Sequence, residues 1–194
     1  IAPAVDFIRL GSELSCAPPY RERLIENVLA SCRRRSEVAQ RLTRCRIFVG
    51  TVATLSGKQE LFRLKQFDVA IVDEATQILE PQLLGLFCQR TEEGANAIGK
   101  FILIGDHKQL PAVVLQSSEH TEVCDESLRA IGITNLKDSL FERLYRGSTP
   151  ETLYRDWLCK QGRMHPEVAH FSNIHFYAGK LEAVGLPHQQ EEDV

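Results

Sequence analysis

The stretch Val69-Ala70-Ile71-Val72-Asp73-Glu74 constrains this chain most: a short apolar run that ends abruptly in two adjacent carboxylates. Such a run reads as a buried strand. A second one, Phe101-Ile102-Leu103-Ile104, ends in Gly105-Asp106-His107-Lys108-Gln109-Leu110-Pro111. Strands alternating with helical segments imply an α/β fold with a mainly parallel sheet flanked by helices. Ligands bind at the carboxyl edge of such sheets, which is where both runs deliver their polar residues. A strand-terminal Asp-Glu pair suits Mg²⁺-assisted phosphoryl transfer, with one carboxylate on the metal side and one beside the attacking water.

With 194 residues the chain can hold one good core, or one core and the beginning of another. No apolar run approaches the ~20 residues needed to cross a bilayer, so no membrane association is expected. The first residues have no basic region followed by a long apolar core, and no signal peptide is expected. Cysteines 16, 32, 45, 88, 124 and 159 are scattered with no C-x-x-C pair, which reads as reduced thiols of a cytoplasmic protein, or a nuclear one in a eukaryote. His107, His165 and His170 have no Cys or acidic partner at zinc-site spacing, and His120 and Cys124 stand alone in a polar stretch. A net charge of −3 argues against a wholly cationic surface but allows a narrow basic groove. From Arg21 to Arg46 there are eight arginines against three glutamates, readable as a solvated helix face or as a phosphate-contacting arm.

Along the chain, Val5 to Leu10 is a strand candidate and Tyr20 to about Leu42 is helical, with Leu24, Val28, Leu29 and Cys32 at helical spacing. Arg46 to Gly50 reads as a strand running into a loop, Thr51 to Gly57. Pro81 marks the first turn of a helix through Cys88. Gln116 to Asn135 reads as loop and Ser139 to Arg146 as a short helix. Gly147-Ser148-Thr149-Pro150 is a linker, Pro166 opens a helix through roughly Phe176, and residues 177–180 turn. Gly94-Ala95-Asn96-Ala97-Ile98-Gly99-Lys100 matches G-x-x-x-x-G-K, but Phe101 replaces the hydroxyl residue and the loop leads into a strand instead of leaving one. It is not a phosphate loop.

Taken in order, these segments resemble superfamily 1 helicases of the 1B branch, the branch of the nonsense-mediated-decay helicase. Asp73-Glu74-Ala75-Thr76-Gln77 with Glu80-Pro81 resembles motif II, and residues 105–111 resemble motif III. Ser139-Leu140-Phe141-Glu142-Arg143-Leu144 resembles a phrase the family uses next. Gln161-Gly162-Arg163-Met164-His165-Pro166 resembles motif IV, followed by Phe176 to Leu181; Gly50-Thr51-Val52-Ala53-Thr54 resembles a nucleic-acid-contacting motif upstream of motif II. The match covers roughly residues 46–181. It implies a RecA-like P-loop NTPase fold, with residues 1–147 a partial first RecA-like domain that includes a helical arm over 20–45. Residues 148–194 would be a linker and the start of the second.

The resemblance also implies roles. Asp73 would hold Mg²⁺ through water, and Glu74 would orient and deprotonate the attacking water of ATP hydrolysis. Gln109 would hydrogen-bond the γ-phosphate, and Arg163 would act as an arginine finger, with Gln161 also at the nucleotide. Thr51, Thr54 and His107 would touch single-stranded DNA or RNA. Motifs I, V and VI are missing from these residues, so the chain reads as an internal piece, inactive alone, of an ATP-dependent helicase. Its oligomeric state is left open. Gly162 stands where the family usually has Tyr, which weakens the expected stacking on the base. Two rivals remain: a helicase-like module that binds nucleic acid or protein without turnover, and a metal-dependent phosphohydrolase using Asp73, Glu74 and Asp106 as ligands.

Overall fold

The computed structural model describes residues 5–149, 151 and 154–190. The chain divides into two compact units, Ile1–Leu144 and Tyr145–Val194. Pro150 of the expected linker and the acidic residues 191–193 lie outside the described residues.

The first unit begins with β1 (Phe7–Arg9), whose next strand in sequence, β2 (Ile47–Val49), lies parallel beside it. Parallel neighbours need a crossover, and the crossover here carries α1 (Ile25–Ala30) and α2 (Arg35–Arg44). The single helix expected over 20–42 is therefore interrupted. A 3-10 segment, Pro18–Arg23, precedes α1, and residues 31–34 break the path before α2. The physical cause is visible at the break: the Glu37 carboxylate accepts from the Arg33 backbone N–H at 2.8 Å, serving an N–H ahead of α2. Ile8, Leu10, Ile25, Val28, Leu42 and Cys45 form the core between these elements.

The expected loop over 51–57 is instead α3 (Val52–Ser56), followed by α4 (Gln59–Leu64). Thr51 is the reason: its Oγ1 accepts from the Thr54 N–H at 3.2 Å, and the two hydroxyls lie 2.9 Å apart. Next come β3 (Phe67–Val72), a 3-10 turn Ala75–Gln77, α5 (Glu80–Phe87) and β4 (Ile98–Leu103). β3 and β4 are parallel, in register from Phe67↔Ile98 to Val72↔Leu103. Lys100, which ended the false phosphate-loop pattern, is an interior residue of β4. One sheet face is covered: Val72, Ala75, Leu83 and Leu140 form a buried cluster with Phe101 and Leu103 packed on it. Truncating a fully buried leucine such as Leu83 would cost about 2–5 kcal/mol. The other face leaves Val69, Ile71, Ile102 and Ile104 exposed.

Residues 116–135, expected as loop, contain α6 (Ser118–Thr121) and α7 (Glu126–Ala130). Asp125 caps α7 by accepting from the Ser127 and Leu128 N–H groups, a signal present in the sequence but set in a polar stretch without helical periodicity. α8 (Leu140–Arg146) follows.

The second unit is a small β-α-β crossover. β5 (Lys160–Gln161), α9 (Pro166–Tyr177) and β6 (Glu182–Ala183) follow in order, the two strands parallel. α9 ends at Ala178 and Gly179, both left-handed, with the Gly179 N–H on the Asn173 carbonyl. The Arg155 guanidinium packs against the rings of Tyr145 and Trp157, 4.8 and 5.5 Å from their centroids. Among the described residues no helix is long and apolar enough to cross a membrane.

Candidate active site at the carboxyl edge of the sheet

Parallel pairing of β3 and β4 brings the ends of both strands to one edge. Two backbone hydrogen bonds extend the pairing past the strands: Ile104 N–H to the Val72 carbonyl and Ala75 N–H to the Ile104 carbonyl, each 2.8 Å. Asp73 and Glu74 are thus placed beside the loop that begins at Gly105. Both carboxylates are exposed, and Asp73 Oδ1 accepts from the Glu74 N–H at 3.0 Å. Glu74 has φ 51° and ψ 40°, the left-handed region, which is unusual for a residue with a side chain. Outliers of this kind persist only where the surroundings over-determine them, and they gather at functional sites.

The opposing loop is closed on itself. Asp106 Oδ1 accepts from the Lys108 N–H at 2.9 Å, and Oδ2 accepts from the Gln109 side-chain amide at 3.0 Å. Gln109 is therefore oriented by Asp106, a role that the spacing of the motif alone did not reveal. The loop also approaches the neighbouring turn closely. A Cβ on Gly105 would lie 3.1 Å from the Thr76 backbone N and 3.3 Å from Phe141 Cδ2, so glycine is what lets the two loops meet. His107 is half-buried in the same loop.

Thr51 and Thr54 sit at a different point of the first unit, after β2, where the Thr51 hydroxyl caps α3 and meets the hydroxyl of Thr54. They border a cleft of about 520 Å³ with Arg9, Ser12 and Gly50. The Arg-rich stretch splits by function. Arg23 and Arg41 both grip Asp6, Arg41 at 2.7 Å, and Arg21 reaches Glu13 at 3.4 Å. Hydrogen bonding and charge from Arg41, then the charge of Arg23, hold the Asp6 carboxyl below its ordinary range. Arg33, Arg34, Arg35, Arg44 and Arg46 face solvent.

Arg163 and Gln161 belong to the second unit. Gln161 organises the loop that presents Arg163: its Oε1 accepts from the Arg163 and Met164 N–H groups at 3.0 and 2.9 Å, and its Nε2 donates to the Met164 carbonyl at 2.8 Å. Gln189, buried, adds two further bonds to the carbonyls of Gln161 and Met164, with nothing in its sequence context to announce it. Arg163 itself is exposed. At Gly162, a Cβ would lie 3.1 Å from Leu186 Cδ1 and 3.3 Å from Val184 Cγ2, so a larger residue there must displace both.

Among the described residues no group of three His, Cys, Asp or Glu side chains is gathered to hold a metal ion, so Asp73, Glu74 and Asp106 do not form the ligand cluster that a metal-dependent phosphohydrolase would need. What the edge offers is a pair of exposed carboxylates beside a braced amide.

An AAA domain family matches residues 21–117, half of the chain, ending just past the Gly105–Pro111 loop. The chain belongs to the superfamily 1 helicase family. Its fold is accordingly the RecA-like α/β one, built around the β3–β4 pair. It is 33% identical to the DNA replication ATP-dependent helicase/nuclease DNA2 of Gallus gallus over 183 residues, 92% of this chain and 16% of that protein. It is 35% identical to the probable helicase MAGATAMA 3 of Arabidopsis thaliana over 116 residues, 60% of this chain and 11% of that protein. Against the uncharacterized ATP-dependent helicase MJ0104 of Methanocaldococcus jannaschii it is 34% identical over 124 residues, 64% of this chain and 15% of that protein. The chain thus spans only 11–16% of the length of these helicases.

Proposed function

We propose that this chain is part of an ATP-dependent helicase or translocase of the 1B branch, which couples ATP hydrolysis to movement along single-stranded DNA or RNA in the cytoplasm or nucleus. Residues 1–147 contribute to its first RecA-like domain and residues 148–194 to its second. The observation that carries the reading is the carboxyl edge itself, where adjacent parallel strands set Asp73 and Glu74 beside the Asp106–Gln109 brace.

The exposed Asp73 carboxylate, beside that of Glu74, fits a hydrated Mg²⁺: Asp73 would hold the ion through its water shell, and the ion would supply neutralisation of the charge that develops during phosphoryl transfer. Glu74 takes the proton of the attacking water from its place in the left-handed turn that directly follows β3. Gln109, pre-oriented by Asp106, donates toward the γ-phosphate and the water. Arg163 acts as the arginine finger, a planar donor worth about 10³–10⁵ in rate in such enzymes. Thr51, Thr54 and His107 contact the strand.

In the full-length protein, Glu74→Gln should abolish nucleic-acid-stimulated ATP hydrolysis while leaving ATP affinity nearly intact. Asp73→Asn should raise the Mg²⁺ concentration needed for activity. An unchanged rate in Glu74→Gln overturns the assignment of Glu74 as base.

A further inference from the structure

Helix α8 has no role in the chemistry described so far, yet it touches both loops of the carboxyl edge. Ser139, just ahead of it, is 1% exposed and bridges antiparallel to Leu79. Leu140 is buried with Val72, Ala75 and Leu83. Phe141 bounds the space beside Gly105. Arg143 makes the most specific contact: its Nε donates to Glu80 Oε2 at 2.7 Å and its Nη2 to Glu80 Oε1 at 2.5 Å, while Nη1 donates to the Ile131 carbonyl at 3.1 Å. The two side chains are only 25% and 13% exposed. A fork-to-fork pair of this kind fixes distance and angle together, which a lysine cannot do.

Glu80 is the first residue of α5 and ends the segment that starts at Asp73. That segment is anchored at one end by the β3–β4 ladder and the Ala75–Ile104 hydrogen bond. At the other end the anchor is α8. Glu74 lies between, in a backbone conformation that needs such bracing.

We propose that Arg143 is a positioning residue for hydrolysis: by gripping Glu80 it holds the 73–80 segment, and with it the left-handed Glu74, in the geometry the reaction uses. The proposal rests on the reading of Glu74 as base.

Two measurements test it. In the 194-residue chain, hydrogen exchange is compared between wild type, Arg143→Lys and Glu80→Gln. The amides of Ala75 and Gln77 should exchange on the order of ten-fold faster in either variant, while Leu10, bonded to Val49, is unchanged. Equal exchange at 75–77, or faster exchange spread evenly over both strand pairs, overturns the proposal. In the full-length protein, either variant should lower kcat for single-strand-stimulated ATP hydrolysis about ten- to a hundred-fold with KM for ATP little changed, and the double variant should be no worse than either single. Additive losses, or a loss confined to KM, also overturn it. Wild-type protein without ATPase activity would instead remove the functional reading, and the exchange result would then decide alone whether Arg143 holds the turn.

Discussion

Replacing Glu74 with glycine should make the chain more stable while removing the group assigned as base. The left-handed conformation at φ 51° costs a residue with a Cβ about 1–2 kcal/mol. Glycine escapes that cost, but it frees the unfolded chain, a penalty of about 0.4–1 kcal/mol. The side-chain contact given up is slight: the Gln77 amide reaches Glu74 Oε2 only at 3.5 Å, the outer limit of a hydrogen bond, on an exposed carboxylate. The difference is a net gain of roughly 0–1.6 kcal/mol, centred near 0.8. At about 2–4 °C per kcal/mol for a chain of this size, the midpoint should rise by roughly 2–3 °C. Glu74→Gln keeps the Cβ and the strain, and should stay within about 0.5 kcal/mol of wild type. Scanning calorimetry of the three proteins decides the matter. A midpoint that falls in Glu74→Gly while Glu74→Gln is unchanged would show that no backbone strain is stored at this position. A rise together with lost activity is the trade expected where a strained residue serves function.

Other consequences are equally specific. Thr51→Ala removes the cap of α3 and should destabilise the chain by about 1 kcal/mol, whereas Thr51→Ser should restore most of it. If Thr51 also touches nucleic acid, the serine variant will recover stability and binding together. Because Arg41 and Arg23 lower the folded pKa of Asp6, the clamp contributes fully above the ordinary value of 3.8 and is lost as pH falls through the depressed one. Asp6→Asn should therefore flatten the acid limb of a midpoint-against-pH curve below that value. Gln161→Ala removes the three hydrogen bonds that the Gln161 side chain makes within the Arg163 loop and should raise KM for ATP in the full-length protein, with hydrogen exchange of Met164 rising in parallel.

The two apolar runs were legible because a continuous stretch of branched residues has few other uses, and their ends at Asp73 and Gly105 fixed where the polar groups would lie. What those runs did not show is that only one sheet face is covered among the described residues, since exposed Ile71 and Ile102 read the same as half-buried Phe101 and Leu103. α3 was hidden because five residues of Val, Ala, Thr, Leu and Ser carry no periodicity; only the Thr51 cap marks it. The long helix over 20–42 failed for the opposite reason. Its apolar spacing continued to Cys32, while the charged Arg33-Arg34-Arg35 run, where the chain breaks, was compatible with helix. At the site, residue types announced the carboxylates, but the bracing partners are long-range: Glu80 meets Arg143 and Gln161 meets Gln189 across distances in sequence that no local pattern spans.

The most direct test of the central claim is single-strand-stimulated ATP hydrolysis, measured for the 194-residue chain and for the protein extended at both ends. Hydrolysis by the extended protein alone, stimulated by the strand and abolished by Glu74→Gln, is the predicted result. Equal rates with and without the Glu74 carboxylate, or an extended protein that binds single strands without turning over ATP, would contradict the account.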